Sequence, residues 1–284
     1  MIVTVAYVIS LAAAMFSVTL TKGKFVHPLW DLLIADSVAT VVIFIFSRIF
    51  KNSSMYDAYW SVAPPVIVFF WLDYARPDTD FFRTLLVFMA VSLWAIRLTL
   101  NWARHWKGMR MEDWRYGVLK KPGGFGAIMT DFWGIHYFPT IMVYLGCLPL
   151  YPALTKGGVP TSSLDLVAFT ICVVAVVIEL VADEQLLLFK KRINDRTEFM
   201  KSGIWKYSRH PNYFGEFLFW VGIWMFGLSA DPSLWWTASG LLALFLMFNF
   251  ASIPMMDKRM CESRPEYADH MKKVSGFFFL PHRK

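Results

Sequence analysis

Charge is scarce in this sequence. Asp, Glu, Lys and Arg make up 17% of its 284 residues, against 57% hydrophobic residues and a mean hydropathy of +0.46. That balance excludes an ordinary soluble domain and points to lipid as the surrounding solvent. Cysteine is sparse too: Cys147, Cys172 and Cys261 form an odd set without metal-ligand spacing, which supports neither a disulfide framework nor a metal site. No nucleotide-binding glycine pattern occurs, because P-G-G-F-G at 122–126 matches neither G-x-G-x-x-G nor G-x-x-x-x-G-K-[ST]. It reads as a turn. Internal repeats, low-complexity tracts and inverted symmetry are absent as well, which argues against a secondary transporter.

What is present is a succession of apolar runs long enough to cross a hydrocarbon core. Spans are predicted near 2–20, 31–50, 59–75, 82–103, 132–153, 164–189, 212–229 and 233–253. The first lacks a basic n-region and a cleavage site followed by a soluble chain, so it is read as a transmembrane helix. Nothing shows the alternation of an outer-membrane barrel. The expected fold is therefore all-α: one polytopic membrane bundle over 1–284 with about 7–8 transmembrane helices, with Pro64, Pro65, Pro139 and Pro149 as kinks or interruptions.

The net charge of +7 follows from topology better than from nucleic-acid binding. Of 28 Lys and Arg residues, 22 fall in segments 48–58, 104–130, 190–211 and 254–284. The positive-inside rule then puts both termini and these connections in the cytoplasm. Lys22 and Lys24 run mildly against that scheme.

Ionisable residues within spans are costly and usually face a partner or a wet cavity. Three groups qualify. E-L-V-A-D-E-Q at 179–185 sets Glu179 and Asp183 on one helical face, beside Glu184 and Gln185, and R-L-T-L-N-W-A-R at 97–104 does the same for Arg97, Asn101 and Arg104. Asn212 and Glu216 are i and i+4 on the opening turns of the seventh span, behind Pro211. Pairing of Arg97 with Asp183 would make them interhelical glue; convergence of the whole set describes a polar cavity. Lys190, Lys206, Arg209 and His210 taken singly are positive-inside residues, and Trp205, Tyr207 and Tyr213 fit an interfacial aromatic belt. A basic rim suits a soluble cofactor bearing phosphates, and an apolar interior suits a lipophilic small molecule or membrane lipid.

G-I-W-K-Y-S-R-H-P-N-Y-F-G-E at 203–216 resembles the motif of the steroid 5-alpha-reductase-like superfamily, and most closely an uncharacterised branch of it. The resemblance extends to D-A-Y-W-S-V-A-P at 57–64, R-L-T-L-N-W at 97–102, E-L-V-A-D-E-Q at 179–185 and I-P-M-M-D-K-R-M-C-E-S-R-P-E-Y at 253–267, so it covers 57–284. It implies an integral-membrane oxidoreductase using NADPH to reduce the C=C bond of an enone in a lipid or steroid-like substrate. Such a protein would sit in the endoplasmic reticulum of a eukaryote or the inner membrane of a bacterium. The resemblance assigns Asn212 and Glu216 to the nicotinamide end of the cofactor, Asp183 and Arg97 to further contacts, and Lys190 to its phosphates. Arg209 and His210 join them on the phosphate or adenosine side, and Asn101, Glu179, Tyr207 and Tyr213 complete the cofactor set.

Two departures qualify it. The family's Tyr of the proton-donating pair is Trp94 here, and no Gln-Glu-Leu-Pro occurs. Asp57 or Tyr59 is the substitute candidate. R-H-P-x-Y-x-G also occurs in membrane methyltransferases that use S-adenosylmethionine on isoprenylcysteine or phospholipid, the alternative reading. Asn212 and Glu216 favour the reductase.

Overall fold

The computed structural model describes residues 2–121, 123–193, 195 and 197–281; Pro122 of the P-G-G-F-G stretch lies outside them. Among the described residues the protein is all-helical, with an isolated bridge between Thr79 and Gly157. In chain order the helices are α1 (Ile2–Thr21), α2 (Leu29–Ile49), α3 (Tyr59–Leu72), α4 (Phe81–His105), α5 (Trp114–Leu119), α6 (Gly124–Thr130) and α7 (Phe138–Cys147). They continue as α8 (Leu150–Thr155), α9 (Ser163–Arg192), α10 (Pro211–Ala230), α11 (Ser239–Met247), α12 (Ile253–Ser263) and α13 (Tyr267–Lys273). Two π-helical segments, Asp131–Tyr137 and Phe248–Ser252, lead into α7 and α12.

Among the described residues, six helical stretches are long and apolar enough to cross a membrane: α1, α2, α4, α9, α10 and the run Pro232–Ser263 that contains α11 and α12. The protein is a multi-pass helical membrane bundle. Two of the eight predicted spans are not single long helices. The third is the 14-residue α3, and the fifth is divided into a π segment, α7 and α8. Proline explains the division only at Pro149, which stands as the N-cap of α8; Pro139 is accommodated in the first turn of α7. Pro64 and Pro65 each remove a backbone donor, yet α3 continues through them.

Local sequence fixes the helix starts. Asp80 caps α4 by accepting from the Arg83 N–H at 2.7 Å, and Ser162 with Asp165 forms a capping box on α9. At about 1.5 Å per residue, the 30 residues of α9 exceed a roughly 30 Å hydrocarbon core, so its last turns, with Lys190, Lys191 and Arg192, project beyond it. Helices α9 and α10 pack closely because two glycines of α10 omit side chains. A Cβ on Gly215 would lie 2.5 Å from Glu179 Cγ, and one on Gly222 would lie 2.8 Å from the Ala168 carbonyl oxygen.

The minority of basic residues on the less basic face are mostly neutralised there. Lys22 pairs with Asp73 at 2.5 Å, Lys156 with Asp231 at 2.7 Å, and Arg83 with Asp165 at 2.8 Å. The first of these neutralises Lys22, one of the two residues at odds with the charge rule.

Candidate functional site

A cavity of about 410 Å³ opens between the basic-face ends of α4, α9 and α10 on one side and α5, α7, α11 and α12 on the other. Its two ends differ in chemistry.

At the polar end Arg97 reaches across from α4 to both neighbouring helices. Its Nη1 lies 3.1 Å from Asp183 Oδ2, its Nη2 lies 3.8 Å from Glu216 Oε2, and it also pairs with Glu179. Asn101 Nδ2 donates to the same Asp183 oxygen at 2.8 Å. Glu216 is held from two sides, since Trp94 Nε1 donates to Oε2 at 3.0 Å and Trp220 Nε1 donates to Oε1 at 2.8 Å. Trp94 therefore orients a carboxylate. Asn212, one turn before Glu216, lines the cavity, and among the described residues no hydrogen bond occupies its side-chain amide. Farther out on α9 and α4, Glu184 pairs with Arg104.

The apolar end is built from Phe138, Pro139, Met142, Met247, Phe248, Met255 and Met256. Both π segments contribute to its wall, consistent with the association of π segments with functional sites. Gly134, Phe138 and Ala251 line the cavity and are also exposed, so the cavity opens sideways between the start of α7 and the Phe248–Ser252 segment. The Arg259 guanidinium of α12 stacks 3.7 Å from the Trp114 ring centroid of α5.

Between the ends stands a carboxyl–phenol pair. Tyr116 of α5 donates its hydroxyl to Asp57 Oδ1, and both residues line the cavity. Burial pushes the Asp57 carboxyl up to about 6, against the opposing hydrogen bonds from Tyr116 and Ser54, and burial raises the Tyr116 phenol well above its ordinary value. Arg115 lines the cavity with its fork already occupied by Asp113, at 2.9 and 3.1 Å.

A profile described as Protein of unknown function (DUF1295) matches residues 43–274. The chain belongs to the DUF1295 family. The match contains every residue of the cavity wall, from Tyr56 to Met256, and leaves out α1 and the first two-thirds of α2. The chain is also similar to "Uncharacterized protein C594.04c" of Schizosaccharomyces pombe, at 29% identity over 252 residues, covering 80% of this chain and 73% of that protein. No solved structure matches.

Within this DUF1295 chain, Asp57, Arg97, Asn101, Glu179, Asp183, Asn212, Tyr213 and Glu216 meet at one cavity. Five other predicted site residues do not reach its wall. Tyr59 turns into the α1–α2–α3 packing, where its hydroxyl donates to Asp36 at 2.5 Å. Lys190 is exposed on the outer turns of α9. Arg209 donates to Asp257 at 2.7 Å and to the carbonyls of Met271 and Val274, while His210 Nε2 lies 3.0 Å from the other Asp257 oxygen. These two anchor the C-terminal segment, as does Tyr207, whose carbonyl accepts from Leu280 N at 3.1 Å. His210 still acts on the wall indirectly, stacking on Tyr213 with a centroid separation of 5.3 Å.

Tyr116, Trp220 and the orienting role of Trp94 are features that the structure adds to the sequence-predicted site. The run M-E-D-W-R-Y at 111–116, dense in charge and aromatics beside apolar spans, carried a signal for Tyr116. The two indoles carried none, since tryptophan is common throughout this chain.

Proposed function

We propose that the protein is a membrane oxidoreductase that takes NADPH at the polar end of the cavity and reduces the C=C bond of an enone in a lipid or steroid-like substrate held at the apolar end. The observation that carries this reading is the joining of the two ends in one cavity, with the Asp57–Tyr116 pair on its wall. The resemblance of 203–216 to the steroid 5-alpha-reductase-like superfamily supports it. The fit to the cofactor rests on the unoccupied amide of Asn212 beside Glu216, and on the face of α9 that carries Glu179, Asp183 and Lys190. Eleven residues separate Glu179 from Lys190, about 16 Å of helix, a distance suited to an extended dinucleotide with its phosphates toward the basic rim. The membrane would be the endoplasmic reticulum of a eukaryote or the inner membrane of a bacterium.

When bound, NADPH supplies a hydride to the β carbon of the enone. The chain supplies the proton. Tyr116 donates its hydroxyl proton toward the oxygen on which negative charge develops, and the Asp57 carboxyl, pushed up to about 6 by burial, relays a proton to the phenol. Trp94 and Trp220 hold Glu216 in one orientation, Arg97 ties the three helices together, and the methionine-rich wall excludes water around the acceptor.

The methyltransferase reading keeps one supporting observation, the surplus of carboxylates at the polar end, which also suits a sulfonium. Protein in lipid nanodiscs, supplied with NADPH carrying deuterium at the transferred position and with enone-bearing lipids, should place deuterium at the β carbon of the reduced lipid. Methyl transfer from S-adenosylmethionine to lipid without deuterium transfer would overturn the assignment.

A further inference from the structure

The polar end of the cavity holds more negative than positive charge. Glu179, Asp183 and Glu216 surround a single guanidinium, Arg97, and the other arginine of the wall, Arg115, is matched by Asp113. Glu179 is 1% exposed; one of its oxygens pairs with Arg97, and among the described residues its buried Oε1 has no hydrogen-bond partner. A buried carboxylate oxygen left unpaired is costly, and a buried charge is ordinarily paired. The side chains of Glu216 and Asp183 retain 20% and 15% exposure, and both line the cavity, so the surplus is presented to whatever enters. The rings of Trp94 and Trp220 complete that wall, while Tyr213 lines it stacked between His210 and Phe248. Aromatic faces attract cations. Among the described residues, no group of His, Cys, Asp and Glu is arranged to hold a metal ion.

We infer that the polar end of this cavity is a site for an organic cationic centre, a positively charged ring nitrogen or sulfonium, which Glu179, Asp183 and Glu216 neutralise. The inference stands apart from the choice of cofactor, because the oxidised nicotinamide and the sulfonium of S-adenosylmethionine share this chemistry. If the bound molecule is a nicotinamide cofactor, these carboxylates favour the oxidised ring over the neutral dihydro form, and so assist loss of hydride.

The test is isothermal titration of the protein in nanodiscs with three matched pairs: NADP⁺ and NADPH, S-adenosylmethionine and S-adenosylhomocysteine, and 1-methylnicotinamide and nicotinamide. In whichever pair binds, the member with the cationic centre should bind about tenfold or more tightly. Glu179→Gln, and separately Glu216→Gln, should shrink that ratio to about threefold or less. Equal binding within a pair, tighter binding of the neutral member, a ratio unchanged in both folded variants, or no binding by any of the six would overturn the inference. Its fate is separable from that of the NADPH reading. Equal binding of NADP⁺ and NADPH would sink the inference and leave that reading standing. Absence of both, with 1-methylnicotinamide still preferred to nicotinamide, would do the reverse.

Discussion

Helices α4, α9 and α10 are joined at both ends by an arginine of α4, and the two joints are built differently. At the less basic face, Arg83 meets Asp165 through two hydrogen bonds of 2.8 and 3.1 Å. Its remaining donors go to the carbonyls of Val159 and Pro160, at 3.0 and 2.9 Å. Ser229 of α10 donates to the same aspartate at 2.7 Å, and both charged side chains have 0% exposure. That joint is neutral, saturated and closed. At the basic face Arg97 meets three carboxylates beside a cavity, and among the described residues the Nε of Arg97 and one oxygen of Glu179 have no hydrogen-bond partner. A staple needs only the first arrangement. The second holds surplus charge and open volume, which are the attributes of a ligand site.

The comparison can be broken most directly at the closed joint. Asp165→Ala leaves Arg83 charged, buried and unpaired, and should cost about 3–5 kcal/mol in equilibrium unfolding in detergent. A cost below about 1 kcal/mol would remove the distinction between the joints. The next effect lies in the helix pair that carries both. Gly222→Val drives a side chain against Cys172 and the Ala168 carbonyl, and should destabilise by about 1–3 kcal/mol in the same assay. Smaller still, and of opposite sense, is neutralisation at the open joint. Glu179→Gln removes one surplus charge while keeping the shape, so stability should stay within about 0.5 kcal/mol or rise. A loss comparable to that of Asp165→Ala would make the open joint a staple as well.

A separate effect is a pH dependence. The Asp57 carboxyl titrates near 6 in the folded protein, against about 3.9 when unfolded, so the folded state holds this proton more tightly. Its contribution to stability is full below about pH 4, falls as pH rises to about 6 and is gone above that. Asp57→Asn should flatten the thermal midpoint over that window; an unchanged slope would place the titrating group elsewhere.

Much of this was legible in the sequence, because hydropathy and charge act over whole segments. The all-helical membrane bundle, the basic face and the meeting of Arg97, Asn101, Glu179, Asp183, Asn212 and Glu216 follow from run length and i, i+4 spacing. The fifth span differs from its prediction because hydropathy counts apolar residues without regard to helix continuity, which Leu148 and Pro149 break. Arg209 and His210 were assigned to the cavity because charge near a helix mouth does not reveal its partner. That partner is Asp257, forty-seven residues beyond His210 in the chain. Tyr116 escaped notice because its contact with Asp57 spans 59 residues, and spacing rules operate only within one helix.

The central claim is that the open joint is a ligand site and the closed one a staple. It is tested most directly by the shift in thermal midpoint on adding NADPH to the wild-type protein, to Asn212→Ala, and to Ser229→Ala, which weakens the closed joint. A ligand bound only by the native state raises the midpoint by mass action. The wild type and Ser229→Ala should shift by the same amount, the latter from a lower starting value, and Asn212→Ala should not shift. No shift in the wild type, or an equal shift in all three proteins, would contradict the account.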